Sequence, residues 1–99
     1  MNTCYQQLEN LGMEILYVAR SEKKIAQPAF EHFTQELHKI GERLRGEETI
    51  SRKLVGLLYF IYISLESESE HCTYDSDLFL AVAKMQELLD DVFWDSPFK

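Results

Sequence analysis

The run LVGLLYFIYISL, from Leu54 to Leu65, constrains the fold most because it contains no charged residue. A helix that spans a bilayer needs about 20 apolar residues, so this run is too short, and we expect no membrane association. Its side chains form two stripes at helical spacing, one of Leu54, Leu57, Leu58, Ile61 and Leu65 and one of Val55, Tyr59 and Tyr62. A helix that is apolar on most sides is normally covered by other helices, so the run predicts the central helix of a bundle.

Three further segments have apolar residues at steps of three and four, which also predicts helices. The four expected helices run from about Thr3 to Arg20, from Pro28 to just before Gly46, from Thr49 or Ser51 to Leu65, and from about Ser76 to Phe93. No segment has the pattern of a strand, and short connections favour antiparallel neighbours. We therefore expect an all-α fold, a compact antiparallel four-helix bundle that forms a single domain over residues 1–99.

Residue types at the expected helix ends agree with these boundaries. Thr3, Thr49 or Ser51, and Asp75 or Ser76 can cap helix N-termini, Pro28 suits a first helical position, and Gly46 suits the position after a helix. Gly12 is different because it lies inside the first helix, where glycine costs about 1 kcal/mol relative to alanine. This cost predicts a close contact between Gly12 and another helix.

The polar residues do not form a recognisable catalytic or metal-binding motif. His32 and His38 are about 240° apart around a helix, so they cannot share a metal ion from that helix. His71 and Cys72 lack the partners of a CxxC or HxxxH motif. Asp75 and Asp77 begin like a calcium loop, but Phe79 and Leu80 follow where ligand and glycine positions are needed, which favours helix capping. We expect neither an enzyme nor a bound metal or cofactor.

The cysteine content and the N-terminal residues favour a cytoplasmic location. Cys4 and Cys72 lie far apart in the sequence, which is not a disulfide framework. The segment MNTCYQQLENLG has neither the basic nor the apolar region of a signal peptide.

Negative charge is concentrated in the second half of the sequence. The half up to Lys53 has as many bases as acids, so the net charge of −7 belongs to the half from Leu54 onward. Few bases argue against direct nucleic-acid binding, which needs groups that neutralise phosphates. We expect carboxylates in an exposed loop from Glu66 to Asp75, continued by acids of the last helix, to attract a basic protein partner. The alternative is a solvated face that only keeps the protein soluble.

The layout resembles that of bacterial immunity proteins of the colicin D type, which bind and block a cognate toxin nuclease. The segments that carry the resemblance are AFEHFTQEL, VGLLYFIYISLESESE and YDSDLFLAVAKMQELL, within Phe30 to Leu89. The resemblance implies an acidic surface that occupies the Lys- and Arg-rich cleft of the toxin in place of RNA, with Tyr74 as an aromatic anchor. The implied partner-binding residues are Glu66, Glu68, Glu70, Tyr74, Asp75, Asp77, Glu87, Asp90 and Asp91.

Two other roles fit the same residues. One is a helical interaction or regulatory module that forms a homodimer, which exposed Val, Tyr or Trp side chains on the first or last helix would favour. The other is an acidic mimic of nucleic acid that acts on a defence protein. Trp94 either fixes the C-terminal tail to the bundle or offers an anchor to a partner, because exposed tryptophan is a frequent hot spot.

Overall fold

Four helices make up most of the chain. The computed structural model describes residues 5–72 and 76–94. The helices are α1 (Gln6–Glu22), α2 (Gln27–Leu44), α3 (Arg52–Ser69) and α4 (Asp77–Phe93). The all-α class is therefore confirmed, and the described residues contain no strand.

Several of the expected helix ends are confirmed. The Ser51 hydroxyl accepts a hydrogen bond from the Leu54 N–H at 3.3 Å, which identifies Ser51 as the N-cap of α3. Ser76 caps α4 in the same way, with the Phe79 N–H at 3.1 Å. Gly46 follows α2 with a φ of 83°, a conformation that favours glycine. The predicted cap Thr3 lies outside the described residues.

The four helices form a bundle in which consecutive helices alternate in direction. The main packed pairs are α1 with α2, α2 with α4, α4 with α3, and α3 with α1. Lys23, just after α1, contacts Glu68 at the end of α3, so these two helices are parallel. Gly41, near the end of α2, lies against the backbone of Asp91 near the end of α4, so that pair is also parallel.

All four helices contribute side chains to one core. The largest fully buried side chains are Ile15, Phe33, Leu37, Leu54, Leu58, Ile61, Leu65, Leu78 and Met85. Ser69 is also buried, and its hydroxyl donates a hydrogen bond to the carbonyl of Glu66 at 2.7 Å. The burial of Ser69 therefore leaves its hydroxyl satisfied.

The structure corrects two expectations about α3. The helix packs against α1 and α4 and is not central, because one side of it faces solvent: Tyr59 is 62% and Phe60 54% exposed. Val55 and Tyr62, the other members of the expected second stripe, are half-buried. The helix also continues to Ser69, so the segment from Glu66 to Ser69 is not part of a loop. Glutamate favours a helix, and the buried Ser69 hydroxyl bonds back to the preceding turn.

Gly12 lies at the closest approach of α1 and α3, as its position inside the first helix predicted. A Cβ atom at Gly12 would overlap Ile61 Cδ1, lie 3.0 Å from Ile61 Cγ1 and lie 3.8 Å from Phe33 Cε1. Because Ile61 and Phe33 are fully buried, the overlap has to be relieved by movement of side chains inside the core. The absence of a side chain at Gly12 therefore sets the spacing of the two helices.

We expect Gly12→Ala to destabilise the protein by about 1 kcal/mol. Crowding in a packed core costs roughly 1–3 kcal/mol, which exceeds the gain of about 1 kcal/mol in helix propensity. Ile61→Val removes the overlapping Cδ1 atom, so Gly12→Ala should cost less in the Ile61→Val background than alone. Chemical unfolding of the single and double variants at low protein concentration measures this coupling.

Gly56→Ala in α3 is the matched control. No described heavy atom lies within 4 Å of a Cβ at Gly56, so the same substitution should stabilise the protein by roughly 0.5–1 kcal/mol. Equal stabilisation by Gly12→Ala and Gly56→Ala would contradict the close contact.

Candidate functional site

A groove between α3 and α4 brings together two of the carboxylates predicted to bind a partner. Its volume is about 280 Å³. The lining residues are Tyr62, Glu66, Ser69, Glu70, Phe79, Val82, Ala83 and Gln86. These residues include two acids, two aromatic side chains and no base, so the groove is negatively charged with partly apolar walls.

Tyr62 and Glu66 are linked inside this groove. They lie one helical turn apart on α3, and both are half-buried. The pKa of the Tyr62 hydroxyl is raised by its partial burial, then by the negative charge of Glu66 and by a hydrogen bond to that carboxylate. The hydroxyl therefore stays protonated as a donor and orients the Glu66 carboxylate in the groove wall.

Glu68 points to the opposite side of α3, and its expected role as a free partner-binding carboxylate is not supported by its contacts. Its side chain is only 15% exposed. Arg20 Nε lies 3.4 Å from Glu68 Oε2, and Lys23 Nζ contacts Glu68 Oε1. Two bases from the first half of the sequence therefore neutralise this acid, because the fold places the end of α1 beside the end of α3.

The other predicted loop residues are separated from the groove or lie outside the described part of the chain. Glu70 is exposed and follows the last residue of α3, at the mouth of the groove. Asp77 is exposed in the first turn of α4 but lines a different groove, between α4 and the start of α2. Tyr74 and Asp75 lie outside the described residues.

The acids of α4 lie towards its C-terminal end and do not continue the loop carboxylates as one patch. Glu87 is about 15 Å along the helix from Asp77, at a rise of 1.5 Å per residue. Glu87 is also 3.4 Å from Lys84 Nζ, so a base does lie among these acids. Asp90 is exposed and Asp91 is half-buried.

The structure adds acidic residues that the sequence analysis did not select. Glu47 and Glu48, in the connection between α2 and α3, line a small groove together with Phe93 and Trp94. They belong to the charge-neutral half of the sequence, and only the parallel arrangement of α2 and α4 brings them to the end of α4. Trp94 is 54% exposed, and the tail that it was expected either to fix or to leave free lies outside the described residues.

Exposed apolar side chains form a second feature, on α1 and α3. Met13 and Tyr17 of α1 and Phe60 of α3 line a shallow groove together with Leu16 and Arg20. Tyr17 is 71% exposed. Met13 and Tyr17 lie four residues apart and outside the buried stripe of α1. This helical spacing of apolar residues on the outer side could have revealed them from the sequence.

Comparisons with known proteins give no match to a protein-family model, a curated protein or a solved structure. In the part of the chain that the structure describes, no group of three or more His, Cys, Asp or Glu residues could hold a metal ion. None of the described helices is long and apolar enough to cross a membrane.

The ion pairs of Glu68 predict a specific pH dependence. The pKa of the Glu68 carboxyl is lowered from the ordinary value of 4.5, mainly because Lys23 donates a hydrogen bond to it. Desolvation raises this pKa, whereas the charge of Lys23 and the hydrogen bond and charge of Arg20 lower it further. Below pH 4.5 the unfolded state therefore binds more protons at this residue than the folded state. The stabilisation is fully present above pH 4.5 and is lost as the pH falls through the folded pKa.

We expect Glu68→Gln to be less stable than the wild type at pH 7 and to approach it at low pH. Urea unfolding across this pH range measures the difference. Glu87→Gln, which removes an exposed pair with Lys84, is the control and should change stability little. A constant difference between Glu68→Gln and the wild type at all pH values would contradict the role of the ion pairs.

Proposed function

We propose that this protein is a non-enzymatic binding domain whose α3–α4 groove binds a basic segment of a protein partner. The observation that supports this proposal best is the lining of the groove, in which two carboxylates and two aromatic rings occur without a base. Such a lining suits the side chain of a lysine or arginine. The charged head would meet the carboxylates, and the aliphatic stem would contact the apolar wall.

Glu66 is the residue that we expect to contribute most to this binding. It is half-buried, and electrostatic attraction is stronger where water is partly excluded. The Tyr62 hydroxyl lies one helical turn away and can donate to this carboxylate, which would restrain it before a partner arrives and lower the entropic cost of binding. Glu70 at the groove mouth and Asp90 farther along α4 are exposed and would add weaker, salt-sensitive attraction.

The specific form that we propose is an immunity protein that neutralises a toxin nuclease. A nuclease must bind phosphates through Lys and Arg, so an acidic groove that occupies this cleft would exclude its substrate. The resemblance in layout and charge to immunity proteins of the colicin D type supports this form. An acidic mimic of nucleic acid that acts on a defence protein would use the same groove but would not inhibit a nuclease.

A homo-oligomeric module is the second candidate, and one observation favours it. An exposed tyrosine on the first helix is the feature that was expected to favour a homodimer, and Tyr17 is exposed. Self-association through this apolar surface and binding through the acidic groove would use different sides of α3.

We expect Glu66→Lys to weaken binding to the basic partner by at least about tenfold, the equivalent of 1.4 kcal/mol. The partner is first captured from bacterial lysate at low salt, identified, and purified for titration calorimetry. Glu31→Lys on α2 makes the same charge change at an exposed position away from the groove and serves as the control. This control should bind like the wild type.

Two outcomes would contradict parts of the proposal. Equal binding by Glu66→Lys and the wild type would exclude the α3–α4 groove as the binding site. If the captured partner has a nuclease activity that excess wild-type protein does not inhibit, the proposed immunity role is wrong. This result would not contradict binding of the partner in the α3–α4 groove.

A further inference from the structure

The outward face of α3 has an exposed apolar stripe that nothing in the described bundle covers. Gly56 and Ile63 each lie three or four residues from the adjacent pair Tyr59 and Phe60, which places these residues on one side of the helix. Tyr59, Phe60 and Ile63 are 62%, 54% and 40% exposed. A solvated helix face normally has charged residues, but this one has none between Lys53 and Glu66.

Opposite charges lie at the two ends of this stripe. Arg52 begins α3 and Glu70 follows its last residue, and both are exposed. They are 18 positions apart, which is five turns at 3.6 residues per turn, so both lie on the same side of the helix. The distance between them along the axis is about 27 Å.

This arrangement of charge opposes the dipole of α3. Acids are favourable at a helix N-terminus and bases at a C-terminus, but α3 has no acid in its first turn and no base in its last turn. Among the described residues, the acids near its end are Glu66, Glu68 and Glu70, and only Glu68 forms ion pairs. The positions of Arg52 and Glu70 are therefore not explained by the stability of α3 alone.

A second copy of the same chain fits this face. In an antiparallel pair of α3 helices centred on Ile61, Arg52 lies opposite Glu70 of the second copy, and Tyr59 lies opposite Ile63. The two-fold axis repeats each of these contacts. One rotation therefore pairs both charged ends with opposite charges and pairs the apolar centre with itself. We propose that the outward face of α3 is a two-fold interface between two copies of this protein.

The first helix extends this interface. Met13 and Tyr17 adjoin Phe60 on the same outward surface. A two-fold axis in the plane of the interface and perpendicular to α3 also brings α1 of the two copies together. The interface then has an apolar and aromatic centre with charged residues at its edge, as stable interfaces do.

The charges favour a second copy over a membrane surface. A helix face that lies on anionic lipid is flanked by bases, whereas here Glu66 and Glu70 lie at one end of the stripe. Those acids would be repelled by lipid phosphates. In an antiparallel pair Glu70 instead lies opposite Arg52 of the other copy.

A charge exchange tests the antiparallel arrangement. Arg52→Glu alone and Glu70→Arg alone place like charges opposite each other, and we expect each to raise the dimer dissociation constant by about tenfold. The double variant exchanges both charges and should return to within about threefold of the wild type. Both substitutions favour the α3 dipole, so the folded monomer should not be lost.

Analytical ultracentrifugation over a range of concentrations measures these dissociation constants. The wild type should reach twice the 11.6 kDa mass of one chain. Ile63→Glu should prevent dimer formation, whereas Leu80→Glu, an exposed apolar position on α4, should not. Circular dichroism of each variant verifies that the helices are retained.

This inference would be overturned by a wild type that stays at 11.6 kDa even at about 1 mM, by a dimer insensitive to Ile63→Glu, or by a double variant no better than the single ones. Binding of a monomeric wild type to anionic vesicles would point to a membrane and would also overturn it. The inference does not depend on the groove proposal, because Ile63→Glu alters the outward face of α3 and leaves the lining of the groove in place. Loss of partner binding with an intact dimer, or the reverse, separates the two proposals.

Discussion

The close contact of α1 with α3 at Gly12 and Ile61 is the constraint on which the remaining surfaces depend. It commits one stripe of α3 to the core and leaves the stripe of Tyr59, Phe60 and Ile63 on the outside. It also places the end of α1 beside the end of α3, where Arg20 and Lys23 meet Glu68. The remaining carboxylate of this turn, Glu66, then faces α4 and forms the groove wall.

Much of the fold follows from local sequence patterns. The spacing of apolar residues predicts four helices, and Ser51, Ser76 and Gly46 mark three ends because capping depends on near neighbours. The predicted end of α3 at Leu65 was wrong. The polar sequence after Leu65 is typical of a loop, but glutamate also favours helices. The site was less predictable, since the contact of Lys23 with Glu68 joins residues 45 positions apart.

The apolar pattern of α3 does not predict which of its sides are covered by other helices. Periodicity predicted Val55, Tyr59 and Tyr62 as the second stripe, whereas the exposed apolar side chains are Tyr59, Phe60 and Ile63. The folded protein has a less uneven charge distribution than the sequence. The parallel packing of α1 on α3 brings Arg20 and Lys23, from the first half of the sequence, to Glu68 in the acidic second half. What remains is an acidic α3–α4 groove on one side of α3 and an apolar face on another.

One helix therefore contributes to the core, to the acidic groove that we propose for a basic partner and to the apolar face that we propose for a second copy. Hydroxyl-radical footprinting with mass spectrometry tests this division most directly, because it reports the exposure of individual aromatic side chains. At low protein concentration Tyr59 and Phe60 should be as reactive as other exposed rings, and at high concentration their reactivity should fall while that of Trp94 does not. Unreactive Tyr59 and Phe60 at low concentration, or reactivity independent of concentration, would contradict the account.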